Sequence, residues 1–352
     1  MSVDVVVVGG GPAGCIAARR LAAQGARVVL YAGATIPGRE GVSHRARELL
    51  EDEDPDAAMQ ALCGPVARGG EWGNGRTVVG SEWLVDRTAL ATGLRRAALA
   101  AGAELRSGIV NRIEQRALGV GVESLAAGPC QARLLIDARG RRAPARRGPV
   151  LAATGQAFVT HAPVQSGTAI YPFAQGWCWL ITEPGTAWVQ LTGTVRAIRS
   201  GTLLGAARAQ IAPLAGALQG ALPSGPATIR PAHASLGQCS PDLARWRVGD
   251  AAFAPDPLSG QGIYEAVRGA RLIATAVDSV LRGGDVALAQ RFAAERQHTA
   301  WRRHLAIAAD LYSENAARGR FWSATAAAYR ALLTIPKLRR SALERPSLYS
   351  GG

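Results

Sequence analysis

An α/β fold, with an antiparallel β-sheet beside it and helices at the C-terminus, is predicted by three observations. Val5-Val6-Val7-Val8 runs straight into Gly9-Gly10-Gly11-Pro12-Ala13-Gly14. A loop rich in proline and glycine follows Val248-Gly249-Asp250 and opens a new helix near Gly262. Between the two, residues 151–240 alternate in strand-like fashion, as in Gly176-Trp177-Cys178-Trp179-Leu180-Ile181 and Ala187-Trp188-Val189-Gln190-Leu191.

Four consecutive valines suit a parallel strand covered on both faces. The helix formers from Cys15 to Ala22 place a helix start near Pro12, Gly25 ends that helix, and residues 26–31 read as the second strand of a Rossmann-like βαβ unit. The spacing Gly9-x-Gly11-x-x-Gly14 serves a tight turn, close approach of a pyrophosphate to the backbone, and close helix–strand packing. The helix N-terminus adds free N–H groups and partial positive charge. Dinucleotide binding is therefore expected at Gly9, Gly11, Ala13 and Gly14. Ala32 stands where such units usually carry an Asp or Glu for the adenosine ribose. Tyr31 or a backbone carbonyl is left to hold that sugar, and the departure does not choose between flavin and nicotinamide.

At 352 residues the chain is long enough for about two domains. No apolar run reaches the ~18 residues of a membrane span, and Asp4 sits where a signal peptide is basic, so a cytoplasmic location is expected. Cys15, Cys63, Cys130, Cys178 and Cys239 are scattered without CxxC spacing, which suggests neither a disulfide framework nor a metal site. The net charge is +14, and among the 40 basic side chains Lys337 is the single lysine. An electropositive surface fits an acidic partner, although a GC-rich coding sequence gives the same bias. The arginines are spread along the chain without interleaved aromatics, which argues against nucleic acid.

Residues 38–50 read as a loop entering a helix, from which Arg45 is the candidate to reach the pyrophosphate. The acidic run from Glu51 to Asp56 reads as a surface turn, and residues 66–81 as a loop or short hairpin. Trp83-Leu84-Val85-Asp86-Arg87 then opens a helix that ends at Ala101-Gly102 and feeds the strand Glu104-Leu105-Arg106. This arrangement resembles the mid-chain signature of glutathione-reductase-type flavoproteins related to p-hydroxybenzoate hydroxylase, and the resemblance implies that Arg87 touches the flavin. Asp137-Ala138-Arg139-Gly140-Arg141 resembles a short form of that family's second nucleotide-side motif. The stretch from Val248 to Ala266 resembles its Gly-Asp motif: Asp250 can accept from a ribityl hydroxyl, while Pro257, Gly260 and Gly262 shape the loop. The helix that follows can stabilise the negative charge of reduced flavin. Tyr312-x-Glu314 with Phe321-Trp322 resembles the C-terminal helices of the halogenase branch.

Together these motifs point to the branch of flavin-dependent halogenases, geranylgeranyl reductases and monooxygenases that mature peptidyl quinone cofactors. The resemblance implies FAD, held by a discontinuous domain of residues 1–60, 83–150 and 241–285. It leaves 61–82 and 151–240 as a substrate domain and 286–352 as a C-terminal helical region. Trp177 and Trp179 share one strand face; with Tyr171 and Trp188 they are candidates for an aromatic pocket wall. Trp177-x-Trp179-x-Ile181 resembles a halogenase motif, with Thr182 in place of its proline. Halogenases of this kind rely on an active-site lysine, and Lys337 lies far from every flavin motif, which disfavours halogenation. The expected reaction is hydroxylation of an electron-rich aromatic group through a flavin C4a-hydroperoxide. A tryptophan on an acidic protein or peptide, as in quinone cofactor biogenesis, is a candidate substrate, with NAD(P)H or a separate flavin reductase as electron source. A reductase of the geranylgeranyl type acting on an isoprenoid, and a non-catalytic flavoprotein or basic binding protein, are the alternatives. No catalytic residue is assigned; His44, His161 and His233 read as surface or structural.

Overall fold

In the computed structural model the described residues are 3–116, 119–143, 145–147, 151–161, 165–237 and 244–334. Cys239 and Lys337 lie outside them. The strand β1 (Val3–Val8) pairs in parallel with β2 (Val28–Ala32) on one side and with Cys130–Asp137 on the other. Its alternate side chains feed two cores, which is why all four valines are apolar. Val5 and Val7 pack with Ile16 and Leu21 of the helix α1 (Pro12–Ala23), whereas Val6 and Val8 pack with Val120 and Val122 of an antiparallel ribbon. Among the described residues this sheet has seven strands, in the order Glu104–Ser107, β2, β1, Cys130–Asp137, Gly119–Glu123, Arg112–Arg116, and Arg245–Arg247 also pairs with Cys130–Asp137.

A second sheet, of ten strands among the described residues, carries Leu151–Val159, Thr186–Thr194, Gly176–Glu183 and Gly167–Phe173 as antiparallel neighbours. Gly167–Phe173 then pairs in parallel with Leu62–Trp72, which brings in Gly80–Asp86 and Arg39–Val42. Of the loop or short hairpin expected at 66–81, the structure has the hairpin: Leu62–Trp72 pairs antiparallel with Arg76–Thr77 and with Gly80–Asp86. The reason is packing: Gly70 has φ +124°, and a Cβ there would sit 2.1 Å from the Ile170 carbonyl oxygen, so its glycine marks a close strand approach rather than a turn. Arg39–Val42 and all of Gly80–Asp86 belong to this sheet, so the position expected as a boundary at 83 lies within a strand, and that at 60 lies in the helix Pro55–Ala61.

Cys178, Leu180, Val189 and Leu191 project from one face of the large sheet toward Ile198, Leu203 and Leu214 of short helices. Ile170 and Trp177 project from the other, toward Phe253, Leu258 and the helices Val286–Ser313 and Arg320–Leu333. The acidic run near residue 53 is not a solvated turn. Asp54 caps the helix Pro55–Ala61 by accepting from the Ala57 N–H at 2.8 Å, and Glu53 is buried beneath Arg20 and Arg271. Burial pushes the Glu53 carboxyl up, but hydrogen bonds from those two guanidiniums prevail and hold it below its ordinary value. Among the described residues no helix is long and apolar enough to cross a membrane.

Candidate functional site

Three sequence motifs meet at the C-terminal end of β1. A Cβ on Gly9 (φ +122°) would lie 2.2 Å from the Ala138 carbonyl oxygen, and one on Gly14 would lie 2.0 Å from the Gly9 carbonyl oxygen. Both positions are closed to any side chain by the protein itself. Gly11 differs, because a Cβ there meets nothing within 4 Å. The Gly-Asp motif packs on the same turn: a Cβ on Gly249 would lie 2.7 Å from the Ala13 Cβ. Arg141 ties the second motif to the third, with Nε 3.1 Å from Asp250 Oδ2 and Nη2 donating to the Pro255 carbonyl at 2.9 Å.

Two helices begin here without a side-chain N-cap, α1 at Gly11 and Gly262–Leu281 at Gln261. Their first N–H groups are left for another acceptor. The Cβ positions of Gly260 and Gly262 are also open. Uncapped helix starts, bare glycine surfaces and nearby arginines fit an anionic dinucleotide such as FAD.

The loop between Asp250 and Gly262 is fastened by a residue the sequence did not single out. Asp256 is 1 % exposed, accepts from the Leu258 N–H at 2.9 Å, and takes hydrogen bonds from the hydroxyls of Tyr329 and Tyr312. Trp177 Nε1 in turn donates to the Tyr312 oxygen at 3.2 Å. Burial, opposed by these donors, pushes the Asp256 carboxyl up to about 6. The local signal was Asp256-Pro257-Leu258, an Asx cap on a short helical turn; the tyrosines come from helices far along the chain.

Arg45 reaches the start of the helix Gly262–Leu281, where it donates to the Tyr264 hydroxyl at 3.0 Å and lies over that ring. Arg87 bonds Glu40 through its side chain and the Gly38 carbonyl through its backbone N–H. Arg230 comes to the same place from the strand Thr228–Pro231, with Nη2 2.9 Å from the Cβ position of Gly38. Burial, and then repulsion by Arg87, lowers its pKa. Arg95 donates to the carbonyls of Gly10 and Gly33 at 3.2 and 2.8 Å, bracing the glycine turn against the end of β2. Tyr31 is not available to a ribose: it is 1 % exposed, donates to the Gly128 carbonyl and accepts from Arg106.

The four aromatic residues expected as a wall divide. Tyr171 pairs with Cys178 and lies on the face covered by the short helices, so it faces away from the tryptophans. Trp177 is 2 % exposed and committed to the core through Tyr312. Trp179 and Trp188 share the remaining, partly buried face, since Trp188 pairs with Ile181. A Cβ on Gly41 would lie 3.1 Å from Trp179 Cζ2, and one on Gly38 would lie 3.7 Å from Trp188 Cζ2. The tryptophan face thus adjoins the segment that carries the partners of Arg87. Glu82, 8 % exposed, lies on this face and accepts from the Thr168 hydroxyl. Its signal was an acid alternating with Leu84 on the inward side of a strand. His44 pairs with Glu48 on a helix surface, His161 is exposed, and His233 is buried with its carbonyl accepting from Arg141.

Residues 3–128 match the family model of pyridine nucleotide-disulphide oxidoreductases. Among solved structures, the peptidyl tryptophan dihydroxylase QhpG, essential for tryptophylquinone cofactor biogenesis, is similar with a TM-score of 0.80 and 30% identity, covering 94% of this chain and 79% of its own. The flavin-dependent halogenase CmlS shares the fold at a TM-score of 0.76 and 20% identity, over 97% of this chain and 69% of its own. The myxobacterial chondrochloren halogenase CndH, a variant of FAD-dependent halogenases, does so at 0.74 and 20%, over 92% and 86%. No curated protein matches the chain. With 30% identity to QhpG over 94% of its length, and with glycine and arginine surfaces suited to FAD, the chain belongs to the family of FAD-dependent oxidoreductases that includes QhpG, and it shares its fold with the flavin-dependent halogenases.

Proposed function

We propose that this chain is a monooxygenase that hydroxylates an electron-rich aromatic group, with a tryptophan on an acidic protein or peptide as its substrate. The observation that carries the reading is the shared face of Trp179 and Trp188, set beside Gly38, Arg87 and Arg230. QhpG, by name, acts on a peptidyl tryptophan, and its likeness supports the same substrate class here. The net charge of +14 suits an acidic partner.

In this reading Gly9, Gly11, Ala13 and Gly14 form the pyrophosphate cradle, and Arg45 and Arg87 add positive charge. Asp250 would accept from a ribityl hydroxyl, and Pro257, Gly260 and Gly262 shape the loop that opens the helix Gly262–Leu281, whose uncapped start would stabilise negative charge on reduced FAD. When bound, FAD would supply the activation of dioxygen, with NAD(P)H or a separate reductase as electron source. The protein's own work is to hold an aromatic ring flat against Trp179 and Trp188 and to shield it from water. We place this activity in the cytoplasm, with the FAD-binding part in residues 1–60, 83–150 and 241–285, the substrate part in 61–82 and 151–240, and the helical region in 286–352.

Co-expression with the product of a neighbouring gene is expected to give a tryptophan-containing peptide heavier by one or two oxygen atoms, seen by mass spectrometry. Rapid turnover of free phenols or isoprenoids with no modified peptide would overturn the protein-substrate assignment. Halide is expected to leave the product unchanged, because the single lysine of the sequence, Lys337, stands outside every flavin motif. A brominated product that vanishes in a Lys337→Ala protein would contradict this.

A further inference from the structure

Glu82 has no structural explanation as an ion. It is 8 % exposed, it comes from the middle of the strand Gly80–Asp86, and among the described residues it has no ion-pair partner. Its one hydrogen bond, from the Thr168 hydroxyl, goes to Oε1. Oε2 is left without a donor among the described residues. Most of Glu82 is withdrawn from water, yet Oε2 is not one of the fully buried unpaired atoms, so it stays open to a donor from outside the chain.

The surroundings say which donor. A Cβ built on Gly41 would lie 2.4 Å from Glu82 Oε2 and 3.1 Å from Trp179 Cζ2, so the free oxygen and the tryptophan edge press on the same glycine. Thr168 pairs with Ile181, and Ile181 with Trp188; paired residues project from one face, so Thr168, Trp188 and Trp179 line a single surface. Glu40, the residue before Gly41 and on the opposite face of that strand, is the ion-pair partner of Arg87. The acceptor therefore lies on the aromatic surface of the sheet.

We propose that Glu82 Oε2 accepts the N–H of the substrate's indole ring and so selects and orients it. The assignment rests on the aromatic-hydroxylase reading. In that reaction one atom of dioxygen forms a new C–O bond at a ring carbon and the other leaves as water, with two electrons from reduced FAD. The ring carries positive charge, shared with its nitrogen, until the proton on the attacked carbon departs to solvent and aromaticity returns. A carboxylate on the N–H stabilises that charge where it develops.

The test uses the FAD-loaded protein and two planar probes, indole and benzofuran, which have nearly the same shape but only indole carries an N–H. Binding is followed by perturbation of the flavin absorbance. Indole is expected to bind at least about tenfold more tightly, as a charge-assisted hydrogen bond implies. In Glu82→Met, which removes both oxygens at similar volume, FAD content is expected to stay and the preference to disappear. Equal affinity in the wild-type protein, no perturbation by either probe, or a preference that survives in Glu82→Met would overturn the assignment. The wild-type comparison decides even where the variant does not fold. If the co-expressed tryptophan is oxygenated equally by wild-type and Glu82→Met proteins, the assignment to Glu82 fails while the hydroxylase reading stands. If wild-type protein oxygenates nothing aromatic, the reading fails first and carries the assignment with it.

Discussion

A Gly11→Val protein is expected to fold and to be purified without its flavin. Gly11 precedes α1 with φ −82° and ψ 179°, an extended conformation open to any residue, and its Cβ position is clear to 4 Å. The cost to the fold is therefore small, about 1 kcal/mol or less for an unfavourable N-cap. The space the valine fills is the one where a pyrophosphate must approach the backbone. FAD affinity is expected to fall on the order of 100-fold or more, as two displaced methyl-sized groups block several backbone hydrogen bonds at once. Visible flavin absorbance per polypeptide, beside an unchanged far-ultraviolet dichroism spectrum, measures this. Gly14→Val provides the contrast: its Cβ would sit 2.0 Å from the Gly9 carbonyl oxygen, so loss of the fold itself is expected. Full flavin content in Gly11→Val would remove the basis for the cradle.

The second large effect is a dependence of stability on pH that passes through one side chain. Asp256 has an ordinary pKa of 3.8, raised to about 6 by burial against the donors around it. Between those values the folded chain holds a proton that the unfolded chain has released, so stability falls as pH rises from about 4 to about 6 and stays lower above. The gap corresponds to roughly 3 kcal/mol. Asp256→Asn keeps an acceptor for the Leu258 N–H and carries no charge. Other carboxylates, such as Glu53 with its lowered pKa, contribute the opposite slope, stability lost as pH falls, in both proteins. The difference in urea unfolding free energy isolates Asp256: the asparagine variant is expected to gain on the wild type by up to roughly 3 kcal/mol between pH 4 and pH 7. A difference that stays constant across that range would show that Asp256 does not titrate in the folded protein.

The βαβ unit, the Gly-Asp loop and the C-terminal helices were legible in the sequence because each is encoded within a few tens of residues. A buried parallel strand needs apolar residues on both sides, a turn against Ala138 needs glycine at 9, and these demands appear as composition at fixed spacing. Ala32 also announced itself, as the absence of an acid. The tertiary structure decided what depends on register and on distant partners. Tyr171 faces away from Trp179 because pairing with Cys178 sets its side, and one residue of slip would have reversed it. Gly70 lay in a stretch readable as loop or short hairpin, and only the parallel pairing with Gly167–Phe173 brought the Ile170 backbone against it. Glu82, Arg230 and Asp256 carry no distinctive spacing, since the groups that give them meaning, Thr168, Arg87 and Tyr329, lie about 70 to more than 140 residues away. A chain states its local geometry in its own order, whereas the company a buried charge keeps is chosen only when separate strands and helices close around it.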